Sequence, residues 1–466
     1  MRVKSRISAS QLRLAFCALA GSLMSFVLLA TYSPYIVRNS TVGTVFTSSG
    51  TATSGSIFSG ARVRNFRDTR PVRLLGPASH KDLETVLASG APVNCRLWAV
   101  VTTIFTPSEA VKRTAGLLPG WCMVVVADRK GPKGYAIDEA PANIFYLTTA
   151  YQEKWAALSP FVDSLPWNHF GRKNVGYLWA ITHGAQQVWD FDDDNELVGD
   201  GIVFPNDSTR IFSLPNFAAE ALNPYPIMGA PTAWPRGFPL EQIKNGSTIP
   251  TSDEGLLGSW DAQKIGVIQS LANHDPDVDA IYRLTRPLPL YFERPSPNEI
   301  LLIPRNTLTP YNAQATLHLH SALWALLLPI TVHGRVSDIW RGYAMQRLLW
   351  DAGLHVAFSG PWVRQERNPH SWLADLQAET DLFAKSGKLV EFLQSWKGTG
   401  ETLPERIEQL FIELYERSYI ELDDVHLAQR WVAELAFAGY IFPPIVRKLT
   451  LAVRTFGGDI GRLNDG

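Results

Sequence analysis

The chain has little cysteine, almost no net charge and few long apolar runs. Its three cysteines allow at most one intrachain disulfide. The 43 Lys and Arg residues nearly balance the 44 Asp and Glu residues, leaving a formal charge of −1. No basic stripe interleaved with aromatics stands out, so nucleic acid is not expected as a main partner. Only Leu14 to Ala30 (LAFCALAGSLMSFVLLA), extendable through Tyr32, approaches the length of a membrane-spanning helix. Leu317 to Val332 is apolar but too short, and it carries His318, His320 and Pro329, so it reads as buried core. Asp275, Asp277 and Asp279 imitate a calcium loop, yet the glycine and distal glutamate of an EF-hand are missing.

What is present begins with that N-terminal run. Arg2, Lys4, Arg6 and Arg13 precede it, which places the N-terminus in the cytosol and the rest of the chain across the membrane. Leu28-Leu29-Ala30 is a poor cleavage site, favouring an uncleaved anchor over a signal peptide. Sequons at Asn39, Asn206 and Asn245 are compatible with a glycosylating lumen. Cys17 lies in the apolar run; Cys95 and Cys122 flank the first βα unit, either as a pair or as two buried thiols. The 15 tryptophans suit a sugar-binding surface and a large core equally well.

Asn39 to about Gly60 is a Ser/Thr/Gly-rich stem, continued by a basic stretch to Arg73. From Arg96 the pattern alternates: strand Leu97 to Thr103, helix Pro107 to Leu117, strand Cys122 to Ala127, then strand Ile144 to Leu147. An amphipathic helix follows in GRKNVGYLWAITHG, with Gly184 as its stop, and then a short buried strand over Val188, Trp189 and Phe191. This alternation predicts a parallel α/β sheet with ligands gathered at the strands' carboxyl ends. Asp128 and the run Asp192, Asp193 and Asp194 stand at such ends.

Three adjacent carboxylates repel one another, and Mg²⁺ or Mn²⁺ relieves that cost while recruiting water and phosphate oxygens. Strand alternation lets two of them grip a metal while the third holds a sugar or a loop. The competing reading is a solvated acidic turn. Arg172, Lys173 and Asn174, at the preceding helix N-terminus, offer a phosphate site, with plain solvent exposure as the alternative. Asp128 is a candidate for the nucleoside or simply the start of a turn. Further on, NPYPIMGAPTAWPRGFPL is a long loop in which Arg236 either reaches a phosphate or is a plain surface arginine. DPDVDAIYRLTR reads as a turn and a short strand. Ser337 reads as the N-cap of a helix from Asp338 to about Ala352. His333, His355 and His370 each admit a metal-ligand or a structural reading. Beyond Leu373 the pattern is helical.

RKNVGYLWAITHGAQQVWDFDDDN, NPYPIMGAPTAWPRGFPL, DPDVDAIYRLTR, PYNAQAT and GRVSDIWRGYAMQRLLWDAG together resemble the STELLO-like family of Golgi glycosyltransferase-like proteins. More distantly, the blocks around Asp128, the aspartate run and GRVSDIWRGY through NPH look like the reversibly glycosylated polypeptides, which include UDP-arabinopyranose mutases. The resemblance implies an α/β GT-A (Rossmann-like) nucleotide-sugar domain with a metal-binding D-x-D motif. It implies Asp192 and Asp194 as metal ligands for Mn²⁺ or Mg²⁺, with His370 as a further candidate ligand. It casts Asp128, Arg172 and Lys173 as substrate-binding and Asp338 as the acceptor's base; Asn174, Asp193, Arg236 and Arg341 are further substrate-binding candidates beside them. The expected partners are a nucleotide-sugar donor (a UDP-sugar), a glycan or protein acceptor, the membrane through one N-terminal helix, and polysaccharide synthase complexes such as cellulose synthase. The expected organisation is cytosolic tail 1–13, anchor 14–32, luminal stem 33–90, GT-A-like domain 91–372 and helical region 373–466, in a type II Golgi membrane protein. Rival readings are a non-catalytic Golgi scaffold and an NDP-sugar mutase.

Overall fold

The computed structural model describes residues 95–137, 143–199, 201–206, 209–214, 217–249, 256–258, 264–293, 299–367 and 370–446. The expected anchor and stem, Cys17 and the Asn39 sequon lie outside the described residues. Among the described residues no helix is long and apolar enough to cross a membrane.

The first strand, β1 (Leu97–Thr103), shows why a sheet forms here. Its side chains alternate, Trp98 and Val100 entering one core and Ala99 and Val101 the other. α1 (Glu109–Leu117) follows, capped by Ser108, whose side chain accepts from the Val111 amide. β2 (Cys122–Ala127) is buried along its whole length, as a strand covered on both faces must be. β3 (Asn143–Leu147), α2 (Thr149–Ala156) and α3 (Pro160–Asp163) lead to α4 (Lys173–Thr182) and β4 (Gln187–Asp190). α1 and α4 contribute to opposite cores, Val111 and Ala115 to one and Val175 and Leu178 to the other. α4 lies close on the sheet because residue 176 is glycine; a Cβ there would come within 2.7 Å of Val100 and Val126 side-chain carbons.

After β4 come β5 (Asn195–Leu197), β6 (Arg210–Ser213), β7 (Leu256–Gly258), β8 (Ile265–His274), α5 (Ala280–Thr285), β9 (Glu299–Leu302), β10 (Thr316–Leu319), α6 (Gly334–Asp351) and β11 (His355–Gln365). The strands form one sheet in the order β3-β2-β1-β4-β10-β8-β11-β9-β6-β7, with β5 paired to β11. The β3-β2-β1-β4 half is parallel, as the alternating pattern predicts. The other half is mixed: β10 runs antiparallel to both β4 and β8, while β8 and β11 are parallel. The carboxyl ends of β1, β2, β4, β8 and β11 and the start of β10 therefore share one edge of the sheet. The chain leaves β1 toward β2 on one side and β4 lies on the other, which makes that edge between β1 and β4 a topological switch point.

Two local expectations are corrected. The 275–286 segment ends in a helix, not a strand, because the Asp279 carboxylate caps it by accepting from the Tyr282 amide. The late helix begins at Gly334 with His333 as its cap. Ser337 sits inside that helix, donating to the Pro329 carbonyl, and Asp338 occupies its second turn. Of the two arrangements open to Cys95 and Cys122, the structure has the disulfide. It ties the chain ahead of β1 to the first residue of β2, at the edge opposite the aspartates.

The segment 317–332 is core, as read: β10 runs into a 3-10 turn over His320–Leu326, and Ala322 to Leu328 are buried. The C-terminal helices α7 (Trp372–Ala378), α8 (Thr380–Ser395), α9 (Leu403–Glu416) and α10 (Leu422–Phe437) follow, also as read. Val390, Leu410 and Trp431 join the same core as Val175 and Leu348. Asp424, in the first turn of α10, accepts from the amides of Ile330 and Thr331 and from the Thr331 hydroxyl.

Candidate functional site

At the shared edge, Asp192, Asp193 and Asp194 diverge. Asp192 accepts from the Lys173 ammonium at 2.9 Å. Asp193 accepts from the Thr103 hydroxyl at the end of β1, and its carbonyl accepts from Ser108 Oγ. Asp194 accepts from Gln365 Nε2, which lies 3.2 Å from both carboxylate oxygens. The loop is thus pinned to α4, β1 and β11 at once.

Asp193 and Asp194 line an open cleft of about 290 Å³ with Phe105, Ser108, Glu109, Ala110, Glu196, Arg364 and Glu366. Five carboxylates face one guanidinium there. Burial and the neighbouring Asp192 push the Asp194 carboxyl up to about 6, and burial also raises Asp193. That is a site short of positive charge. Carboxylate oxygens are the donors Mg²⁺ and Mn²⁺ prefer, and such ions are commonly held by one or two carboxylates plus water and substrate phosphate. The aspartates fit that mode. Among the described residues no group of three or more His, Cys, Asp or Glu is arranged to hold a metal by itself. His370 stands at the start of α7, its Nε2 3.0 Å from Asp375.

The basic residues have a different place from the one the sequence suggests. Lys173 is fully buried, 2.7 Å from Asp190 and 2.8 Å from the Ala313 carbonyl as well as on Asp192. Burial alone would lower its pKa, but Asp190 and Asp192 outweigh that and hold it up. Arg341 lies 3.5 Å from Asp190 on the other side and donates to the Asn312 carbonyl. Arg172 donates to Gln152 and to the Leu165 carbonyl and stacks on Trp167 at 3.8 Å; burial lowers it to about 10. Asn174 clamps both the carbonyl and the amide of Leu328. None of these four meets solvent to any extent. A helix start carrying two cations is therefore internal scaffolding here, because Lys173 points into the sheet's own carboxylates and Arg172 is held by Gln152, the Leu165 carbonyl and Trp167.

Asp128 accepts from the backbone amides of Arg129, Asn168 and His169, and its carbonyl closes the turn to Gly131. Arg236 is bound by two acids: Asp277 at 2.7 Å and Asp338 in bidentate fashion at 2.7 and 3.1 Å. Burial opposes its charge, but Asp277 and Asp338 overcome that and raise its pKa well above the usual value. Asp338 also accepts from the Ala313 amide. The PYNAQAT segment joins the two ion-pair groups: Lys173 takes the Ala313 carbonyl, Asp338 its amide, and Asn312 Nδ2 donates to Asp277. This close approach needs Gly342, where a Cβ would lie 2.2 Å from the Tyr311 carbonyl oxygen.

Sequence reasoning missed Asp190, Asn312 and Gln365, and it weighed Asp277 only as part of a calcium-like turn. Asp190 left a signal, its two-residue spacing from Asp192. Gln365 left none, because its role comes from the pairing of β11 with β8 and β5.

Residues 335–453 match the family model described as STELLO glycosyltransferases. The chain is 30% identical over 365 residues to "Probable glycosyltransferase STELLO2" of Arabidopsis thaliana, covering 75% of this chain and 46% of that protein. It is 29% identical over 365 residues to "Probable glycosyltransferase STELLO1" of the same plant, covering 75% and 45%. The chain thus spans about half the length of these relatives. Together these matches assign the chain to the STELLO-like family.

Proposed function

We propose that the protein is a metal-dependent glycosyltransferase that moves a hexosyl or pentosyl group from a nucleotide sugar, a UDP-sugar, to a glycan or protein acceptor. The observation that carries this is the cleft at the β1/β4 switch point, with Asp193 and Asp194 in its wall. Ligands of α/β sheets collect at such points, and the family's printed name agrees with the chemistry. The domain is of the GT-A type in this reading, and the type II Golgi anchor expected at 14–32 puts the cleft in the lumen. Polysaccharide synthase complexes are proposed partners.

Asp192 and Asp194 would hold Mn²⁺ or Mg²⁺, with water and substrate phosphate completing its shell and Asp193 fixed by Thr103. When bound, the ion supplies positive charge to the departing diphosphate. Lys173 fixes Asp192 and so sets the loop's orientation before any ligand arrives, while Gln365 does the same for Asp194. Asp338 is the proposed base for the acceptor hydroxyl. It is held by Arg236, so that salt bridge has to open before the carboxylate meets an acceptor. Asp128 acts on the nucleoside side by holding the 168–169 backbone in place.

Incubating the full-length chain with Mn²⁺ and radiolabelled nucleotide sugars tests the reading. Donor turnover or transfer by the wild type, abolished in Asp194→Asn, supports it. Turnover that survives in Asp194→Asn and Asp192→Asn removes the metal role. One observation favours a second reading, a scaffold without catalysis: Arg172, Lys173, Arg236 and Arg341 are all committed to internal partners. A folded protein that turns over no donor, but keeps its partners in the Golgi, supports that alternative.

A further inference from the structure

With those four cations committed inside and the cleft's own Arg364 paired with Glu366, a diphosphate at the aspartate loop needs another basic group. The carboxamide of Gln365 shows where one lies. Its nitrogen serves Asp194, while its oxygen accepts from Gln314 Nε2 at 2.8 Å and from Arg367 at 3.5 Å. The Arg367 side chain is partly exposed, and its other contacts are long: 3.5 Å to Asp275 and 3.7 Å to Asp277. Its Nε has no hydrogen-bond partner. Both of those aspartates are already served, Asp275 by Arg283 and Asp277 by Arg236. Arg367 is thus a guanidinium held in place by attraction at a distance, with donors still available, one side chain away from Asp194.

We propose that Arg367 is the diphosphate-binding residue of this site: it swings from Asp275 and Asp277 onto the phosphates of a nucleoside diphosphate gathered at Asp194. This rests on the nucleotide-sugar reading above. Guanidinium suits the role because its planar fork matches phosphate oxygens in bidentate fashion. A nucleoside monophosphate, lacking the second phosphate, gains less from it.

The test is calorimetric titration of the full-length chain in detergent with UDP, GDP, ADP and CDP plus Mn²⁺, and with the matching monophosphates. Arg367→Ala should weaken the preferred diphosphate at least tenfold and change the monophosphate less than twofold. Asp275→Asn, which removes a competing anion, should strengthen the diphosphate. If Arg367→Ala does not fold, Arg367→Lys and Asp275→Asn decide, since a merely structural arginine would not make Asp275→Asn bind more tightly. Wild-type affinity in Arg367→Ala, or no gain in Asp275→Asn alongside an unaffected Arg367→Lys, overturns the assignment while leaving the donor site intact. No diphosphate binding by the wild type overturns the nucleotide-sugar reading itself.

Discussion

Asp190 and Asp193 stand three residues apart at the end of β4, and their surroundings are opposite. Asp190 is sealed between Lys173 and Arg341, with no exposure. Asp193 and its neighbour Asp194 face a cleft in which acids outnumber bases. The first set is electrically complete before any ligand arrives; the second is not. A protein holds uncompensated carboxylates at a cost, so the contrast separates groups that build the site from groups that use it. The same contrast runs through the arginines. Arg236 has two acids within 3.1 Å, and Arg367 has none closer than 3.5 Å.

Removing a member of the complete set should give the largest effect. Lys173→Met leaves Asp190 buried beside a single cation and should cost about 3–5 kcal/mol in chemical denaturation. A smaller loss than about 1 kcal/mol would erase the distinction between the two sets. For the incomplete set the direction is reversed. Mn²⁺ and the preferred nucleoside diphosphate at a hundred times their dissociation constant should stabilise the wild type by about 2.7 kcal/mol. In Asp194→Asn that gain should vanish, with basal stability unchanged or higher, since a destabilised charge has been deleted; thermal melts with and without ligand check both.

Gly342→Ala probes the joint between the two ion-pair groups. It should cost about 1–3 kcal/mol by prising α6 from the Tyr311 carbonyl, and it should weaken ligand binding together with stability. A loss of stability with normal binding would show that the joint does not organise the cleft.

The smallest effect is a slope. Burial pushes Asp424 up to about 6, although Thr331 and the Ile330 amide pull it down. Between its ordinary value and 6 the folded chain binds more protons than the unfolded one, so this group's contribution to stability falls as pH rises through that window. Asp424→Asn should flatten the dependence there without touching nucleotide affinity. Unfolding curves from pH 4 to 7 measure it, and an unchanged slope would mean that Asp424 does not contribute.

The parallel half of the fold was legible because local signals suffice for it. β1 and β2 are continuous apolar runs bounded by turn residues, and Ser108 caps the helix between them. The mixed half was not, since the antiparallel placement of β10 depends on partners far along the chain. Capping misled once, at Ser337, and was overlooked once, at Asp279, each for a physical reason. Ser337 and Asp279 are both good caps, but Ser337 found the Pro329 carbonyl from inside a helix, and the apolar pattern after Asp279 is too short to separate helix from strand. Within the site, the aspartates were visible by their own chemistry. The direction of Lys173 was hidden, because a cation's sequence position does not say whether it faces outward to phosphate or inward to Asp190.

Lys173 also behaves as a reporter. An ammonium has three protons to donate, and here three oxygens, from Asp190, Asp192 and Ala313, stand within 2.9 Å of it. All three protons are taken, and the ammonium has no free lone pair with which to attack an acylating reagent while the sheet edge stays closed. The rate at which Lys173 is acylated in the native protein therefore measures how often β4, α4 and the 313 segment come apart together.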